Sequence, residues 1–251
     1  MGFQNIFLGQ RPNLHILDVN KTPWERGIPE SFINVFRGKI DKMVKLIAFD
    51  VWQTLADYPF NLYEEVLKIT KLPITLQEFI LKKGEAEVSS SLNDKDRFLE
   101  KMRVMGVKDE SILEKVSDLY YKAHSNIFLY DGVLETLISL KKKGYLLAII
   151  TNVDSYAQER VIKLFPCDLF EDIIASFEVG FKKPQKEIFL KLSEKKDLKP
   201  SEIVMVGDGV ATDIIPPLEL GWKTVFINRN GEICDKADYN ISSISELSKI
   251  F

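Results

Sequence analysis

The sequence predicts an α/β fold in which a doubly wound parallel sheet is interrupted by an inserted helical domain. Five short apolar runs indicate buried strands, at residues 43–49, 146–150, 173–175, 203–206 and 224–227. Helical patterns lie between them, and strands that alternate with helices form parallel sheets through right-handed crossovers. Between residues 59 and 130 there are helical patterns and no convincing strand, which predicts a separate lid.

The elements follow in order along the chain. The first strand, 43–49, ends at Asp50 without polar alternation, as expected of a strand buried on both faces. The insert contains four amphipathic patterns, at residues 62–69, 76–88, 95–105 and 111–128. Further helices are predicted at residues 131–143, where Gly144 follows as a stop signal, and at 186–195.

These patterns divide the chain into three parts. We assign residues 43–57 and 131–251 to the core domain and residues 58–130 to the helical insert. Residues 1–42 contain three prolines and one short apolar run, so they form an N-terminal extension of unknown role.

Composition and charge argue against several classes of protein. The chain has 251 residues, of which 45% are hydrophobic and 28% charged, so it can bury a core without disulfides. Its net charge of −3 argues against a nucleic-acid-binding protein, which is usually basic. Two cysteines and two distant histidines argue against a zinc or histidine-rich metal site. Without a secretory signal or a membrane-spanning stretch, we expect a cytoplasmic protein with no membrane partner.

Polar side chains follow the carboxyl ends of the predicted strands, where ligands of open parallel sheets bind. In chain order they are Asp50, Thr151, Asn152, Lys183, Asp208 and Asp213. Clustered carboxylates repel each other unless a cation lies among them, and oxygen ligands suit Mg²⁺. A lysine beside them suits an anionic substrate, so this combination of side chains favours phosphoryl transfer.

The motifs around these residues resemble those of the haloacid dehalogenase-like hydrolase superfamily. The nucleophile motif is matched by FDVWQTL at residues 49–55, and the second motif by IITN at residues 149–152. The third and fourth motifs are matched by GFKKP at residues 180–184 and VGDGVATDI at residues 206–214. All four occur in the family's order, and the helical insert lies where the family has its C1 cap.

The resemblance implies a Rossmann-like core of strand order 3-2-1-4-5 and hydrolysis of a small phosphorylated metabolite. Asp50 would be the nucleophile and would form an aspartyl-phosphate, as in covalent catalysis by carboxylates. Lys183 would neutralise charge between Asp50 and the phosphate, and Thr151 and Asn152 would bind the phosphoryl oxygens. The oligomeric state does not follow from the resemblance.

The resemblance also implies a Mg²⁺ site. The ion would be held by Asp50, Asp208 and the main-chain carbonyl of Trp52. Asp213 would not bind the ion directly and would support these ligands from the next layer of residues or through a water molecule. Trp52 is in addition expected among the substrate-binding residues.

Trp52 is also the main departure from the family pattern, because family phosphatases usually have a second aspartate there that protonates the leaving oxygen. An indole does not exchange protons in the relevant pH range. Three interpretations follow. The preferred one is a phosphatase for good leaving groups, or one whose proton comes from water or the cap. The others are a regulatory or binding protein of low activity, and a 2-haloacid dehalogenase. Dehalogenases have an aromatic residue here but generally lack the carboxylate of Asp208.

Two further expectations concern local structure. Pro216 and Pro217 are tolerated only in the first turn of a helix, so the helix after Asp213 must begin late. Aromatic side chains at positions 58, 60 and 63 follow the first motif, and core packing is preferred for them over a position at the site entrance.

Overall fold

The computed structural model describes residues 43–85 and 94–251. The N-terminal extension, 1–42, and the end of the second insert helix, 86–88, lie outside the described residues. The strands of the described part are β1 (Leu46–Phe49), β2 (Ala56–Asp57), β3 (Phe128–Leu129), β4 (Leu146–Thr151), β5 (Asp172–Ala175), β6 (Ile203–Gly207), β7 (Lys223–Ile227) and β8 (Tyr239–Ile241).

The main sheet has six parallel strands in the order β5-β4-β1-β6-β7-β8. Its first five strands have the expected order 3-2-1-4-5, and each lies within a few residues of its predicted position. Strand β8 adds an edge strand that the sequence patterns did not predict. The doubly wound parallel sheet is therefore confirmed and is one strand wider than expected.

Helices cover both faces of this sheet, as the alternation along β1 shows. Ile47 and Phe49 belong to one buried cluster, together with helix α5 (Val133–Lys142). Leu46 and Ala48 belong to the cluster on the opposite face, together with helix α8 (Lys186–Lys196). All four residues of β1 are buried, which explains why its sequence is a continuous apolar run.

The helical insert contains four helices with a buried cluster of their own. They are α1 (Leu62–Thr70), α2 (Leu76–Glu85), α3 (Asp94–Val104) and α4 (Glu110–Ser125), and Val66, Phe79 and Val116 lie at the centre of the cluster. The chain enters and leaves the insert through β2 and β3, which pair antiparallel over two residues each. This short ladder was not predicted, because two residues show no periodicity.

The remaining helices are α6 (Ser155–Ile162), α7 (Ser176–Val179), α9 (Ile215–Glu219) and α10 (Leu247–Ile250). A single π-helical turn, Val210–Ile214, precedes α9, and both prolines occupy the first turn of α9. The prediction of a late helix start is confirmed. Among residues 43–85 and 94–251, no helix combines the length and the apolar character that crossing a membrane requires.

Candidate active site

Two carboxylates come side by side because they follow adjacent strands. Asp50 follows β1 and Asp208 follows β6, its neighbour in the sheet. The Asp50 amide donates to the Val206 carbonyl at 2.9 Å, which continues the pairing of the strands up to the site. A turn in which the Val51 carbonyl accepts from the Leu55 and Ala56 amides then leads into β2.

Asp213 completes a cluster of three carboxylates. One carboxylate oxygen each of Asp50, Asp208 and Asp213 lies within 4.8 Å of the others. Gly207 permits this approach, since a Cβ there would lie 2.4 Å from the Asp213 Cβ. The Gly209 amide donates to Asp213 Oδ2 at 2.9 Å and fixes the carboxylate in place.

Lys183 lies in the middle of the cluster. Its ammonium is 2.6 Å from Asp50 Oδ1 and 2.6 Å from Asp213 Oδ1, and all three residues are at most 6% exposed. Asn152 holds the main chain of Lys183 on both sides, since the Lys183 amide donates to Asn152 Oδ1 at 2.8 Å and Asn152 Nδ2 donates to the Lys183 carbonyl at 3.0 Å. The side chain of Asn152, expected on a phosphoryl oxygen, thus positions the lysine.

The electrostatics of this cluster favour a bound cation. Burial, together with the charge of Asp213, raises the pKa of Asp50 to about 6 against the opposing effect of Lys183. Burial and the charges of Asp50 and Asp213 raise the pKa of Asp208 to about 8. Burial alone would lower the pKa of Lys183, but the two carboxylates raise it above its ordinary value, so the lysine stays charged. When all three carboxylates are ionised, the single ammonium leaves two negative charges uncompensated, and a bound cation would favour that ionised state.

Thr151 ends β4, which pairs with β1, so it lies at the same edge of the sheet as Asp50. It is buried, and its Oγ1 has no hydrogen-bond partner among the residues that the structure describes. A buried hydroxyl without a partner is costly, so it is a candidate for a contact with a substrate oxygen. This observation agrees with the sequence-based expectation that Thr151 binds phosphoryl oxygens.

Trp52 contacts the helical insert instead of carrying a carboxylate. Its ring stacks on Tyr58, with the centroids 4.5 Å apart and the planes inclined by 22°. The Tyr58 hydroxyl is hydrogen-bonded to His124 Nε2 at 2.8 Å, and His124 Nδ1 donates to the Tyr120 carbonyl at 2.7 Å. Trp52, Tyr58 and His124 therefore form a continuous aromatic contact between the end of the sheet and the insert.

A pocket lies between these aromatic side chains and the end of β4, and we call it the aromatic pocket. The insert contributes Tyr58, Tyr63, Tyr120 and His124, and the sheet domain contributes Trp52, Asn152, Val153, Asp154 and Ala157. Tyr58 and Tyr63 line the pocket as well as packing against the core of the insert, whereas Phe60 only packs against that core. Packing, the preferred expectation, therefore describes Phe60 fully and the two tyrosines in part.

Arg229 is a residue near the site that the sequence analysis missed. It follows β7 and donates to the carbonyls of Gln53 and Thr54, the latter at 2.8 Å. Its guanidinium lies 3.5 Å from the centroid of the Tyr130 ring, and the Tyr130 hydroxyl donates to Asp57 at 2.6 Å. Arg229 thus connects the turn after Asp50 to both strands that lead into the insert.

Comparison with known protein families agrees with this geometry. A family model described as haloacid dehalogenase-like hydrolase matches residues 44–221. The chain belongs to this family. As a haloacid dehalogenase-like hydrolase it has the family's Rossmann-like core, and its helical insert is consistent with a C1 cap.

Curated relatives cover the chain in part. The glyceraldehyde 3-phosphate phosphatase of Pyrococcus furiosus is 34% identical over 138 residues, which are 51% of this chain and 58% of the relative. That of Methanocaldococcus jannaschii is 38% identical over 126 residues, 48% of this chain and 55% of the relative. The matched part of the hydrolase therefore spans little more than half the length of these relatives.

Solved structures match over more of the chain. The phosphatase of this family from Thermococcus onnurineus has a TM-score of 0.57 at 25% identity, covering 82% of this chain and 97% of that one. A 2-haloacid dehalogenase from Pseudomonas syringae has a TM-score of 0.58 at 20% identity, covering 83% and 98%. The second likeness shows the fold alone.

Proposed function

We propose that this hydrolase is a Mg²⁺-dependent phosphatase that acts on a small phosphorylated metabolite through an aspartyl-phosphate on Asp50. The observation that carries the proposal is the charged centre in which Lys183 bridges Asp50 and Asp213 beside Asp208. Such a centre stabilises the negative charge that spreads over a transferring phosphoryl group. The phosphatase names of the curated relatives support the same chemistry.

The carboxylate cluster fits a magnesium ion. Its oxygen donors, and the excess of negative charge that it has when its carboxylates are ionised, suit a hard divalent cation. Asp50, Asp208 and the main-chain carbonyl of Trp52 would hold the ion, which when bound offsets the charge of the phosphate. Asp213 would support them, because its two oxygens already accept from Lys183 and the Gly209 amide.

The reaction proceeds in two displacements at phosphorus. A carboxylate oxygen of Asp50 forms a bond to phosphorus while the bond to the leaving oxygen breaks, and that oxygen takes up a proton. Water then attacks the phosphorus of the aspartyl-phosphate, which releases inorganic phosphate and restores the carboxylate. Lys183 remains protonated in both steps and offsets the charge between Asp50 and the phosphoryl oxygens, to one of which the Thr151 hydroxyl donates.

The proton for the leaving oxygen does not come from position 52. Trp52 has only an indole N–H, which does not act as an acid near neutral pH. The remaining source is water in the cleft, because burial raises the pKa of Tyr58 well above its ordinary value and its hydroxyl is hydrogen-bonded to His124. Acyl and aryl phosphates need little protonation, so they are the substrates on which the enzyme works best without an acid.

A second candidate, 2-haloacid dehalogenase activity, is favoured by one observation. A halide leaves without a proton, which suits an aromatic residue at position 52. The carboxylate of Asp208 beside Asp50 counts against it, because that activity needs no metal ligand at this place. A non-catalytic binding role is the third candidate.

The experiment measures release of inorganic phosphate from p-nitrophenyl phosphate, acetyl phosphate and glyceraldehyde 3-phosphate, with Mg²⁺ and with EDTA. We expect activity only with Mg²⁺, loss of turnover in Asp50→Asn, and acid-stable labelled phosphate on the wild-type protein alone. Asp168→Asn, which removes an exposed carboxylate outside the site, is the matched control. Turnover retained in folded Asp50→Asn contradicts the proposal. Halide release from 2-haloacids in the presence of EDTA would show that the protein is a dehalogenase. Absence of activity on every substrate favours the non-catalytic binding role.

A further inference from the structure

The aromatic pocket adjoins the candidate active site. Trp52, two residues after Asp50, forms one side of it, and Asn152, which holds the main chain of Lys183, forms another. A phosphate ester bound with its phosphorus at Asp50 would therefore direct its leaving group toward this pocket.

The charge of this pocket is unusual for a site next to a phosphate. Asp154 brings a carboxylate into its lining, and no lysine or arginine side chain lines it. Among the lysine and arginine side chains that the structure describes, none forms an ion pair with Asp154. The pocket therefore presents negative charge to a ligand.

Asp154 is held in place by neutral partners. Its Oδ2 accepts from the Tyr120 hydroxyl at 2.6 Å, and its Oδ1 accepts from the Ala157 amide at 2.9 Å, as the N-cap of helix α6. Each carboxylate oxygen can accept one more hydrogen bond.

We propose that the aromatic pocket binds the leaving group of the substrate and selects groups that carry a hydroxyl or an ammonium over groups that carry a carboxylate. This inference rests on the phosphatase function proposed above. A hydroxyl or ammonium donates to Asp154, and an ammonium also gains from the surrounding aromatic rings. A carboxylate meets like charge and offers no donor, and such mismatches give strong discrimination.

The size of the pocket limits the leaving group to a few atoms. The space between its side chains, including the part open to solvent, is about 230 Å³. Only about 10 Å³ of this space is enclosed, which is room for about one water molecule, so a leaving group of a few atoms would lie mainly in the part that is open to solvent.

Three phosphate monoesters of nearly equal size test the inference. They are 2-hydroxyethyl phosphate, O-phosphoethanolamine and phosphoglycolate, which differ in the charge of one terminal group. We expect kcat/KM for each of the first two to exceed that for phosphoglycolate by about tenfold or more.

The variant Asp154→Asn separates the charge from the fold, because asparagine Oδ1 can still cap helix α6 at the Ala157 amide while its Nδ2 donates to the Tyr120 oxygen in place of the present contact. We expect the ratio of kcat/KM for O-phosphoethanolamine to that for phosphoglycolate to fall by about tenfold in this variant. In the control Asp168→Asn, which removes an exposed carboxylate from the same domain, the ratio should equal that of the wild type.

The outcomes are distinct for the two proposals. Equal or higher kcat/KM for phosphoglycolate overturns the inference, as does a ratio unchanged in Asp154→Asn. Hydrolysis of p-nitrophenyl phosphate without hydrolysis of any of the three esters overturns it too, while the phosphatase function stands. If p-nitrophenyl phosphate is not hydrolysed either, the phosphatase function fails and the inference fails with it.

Discussion

Replacing Trp52 by aspartate tests whether a missing proton donor limits the rate of this hydrolase. The indole occupies the position from which family phosphatases protonate the leaving oxygen, and a positioned acid is worth about 10²–10⁴ in rate. We expect Trp52→Asp to raise kcat/KM on alkyl phosphates by at least about tenfold and to leave aryl phosphates nearly unchanged. The reason is that an aryl leaving group departs without protonation.

The substitution also has a cost in stability that the structure allows us to bound. The stacked contact between Trp52 and Tyr58 is worth about 0.5–1.5 kcal/mol beyond the burial of the rings. For a chain of this size, each kcal/mol corresponds to about 2–4 °C in Tm. The loss of stacking alone therefore lowers Tm by a few degrees, and thermal melts of each variant check that it is folded at 25 °C, where the activity is measured.

The assay compares the leaving-group dependence of kcat/KM for wild type, Trp52→Asp and Trp52→Asn. Asparagine has the shape of aspartate and the same loss of stacking but no exchangeable carboxyl proton, so it isolates the acid. A gain in Trp52→Asp alone, confined to poor leaving groups, supports the reasoning. An equal gain in both variants means that the indole only obstructs the site, and no gain in either means that the proton comes from elsewhere.

Three further predictions concern charged residues. Lys183→Met leaves two buried carboxylates without their partner, so without metal we expect the free energy of unfolding to fall by about 3–5 kcal/mol. In thermal melts Mg²⁺ should restore part of this stability, and turnover should be lost. Arg229→Gln removes its guanidinium from the Tyr130 ring and should reduce kcat several-fold while Tm falls only slightly, as followed by steady-state kinetics and melting. Burial opposes ionisation of Asp172, but the ion pairs with Lys195 and Lys196 lower its pKa below 3.8. Asp172→Asn should therefore lower Tm at pH 7, and the difference in Tm should close below pH 3.8.

Matched substitutions control these three predictions. Lys182→Met changes the neighbouring lysine, which has no part in the carboxylate cluster, and should retain turnover. Arg160→Gln removes an arginine that lies on Tyr156 at the edge of the insert, away from the turn after the nucleophile. Asp168→Asn should leave Tm unchanged between pH 3 and 7. A Tm difference for Asp172→Asn that persists at low pH would show that packing, and not the ion pairs, is responsible.

The core of the fold was predictable because its strands are buried on both faces. A strand such as β1, which packs against helices on each side, is a continuous apolar run, and its end is marked by the first polar residue. The strand ends therefore locate Asp50 and Asp208 directly. The edge strand β8 was not predicted, because it has only three residues, of which Asn240 is exposed.

The contacts that depend on distant pairs of residues could not be predicted. Arg229 donates to the carbonyl of a residue 175 positions away, and the Tyr58 hydroxyl is hydrogen-bonded to the ring of a histidine 66 positions away. No local pattern distinguishes such an arginine from one on the surface, or His124 from a histidine that only fills the core of a helical domain. The helix-capping role of Asp154 was visible in principle, since an aspartate before a helical pattern is a common N-cap.

This difference has a physical cause that bears on function. The chemistry at phosphorus requires charged side chains at strand ends, and those positions are fixed by the sheet itself. Recognition of the leaving group instead depends on how helix α4 lies over the loop after β4, where Tyr120 serves at once the core of the insert and the carboxylate of Asp154. In the sequence, Tyr120 shows only the spacing of a residue in the core of the insert, and nothing there indicates its hydrogen bond to Asp154. The link between the insert and substrate selection therefore becomes visible only in the three-dimensional structure.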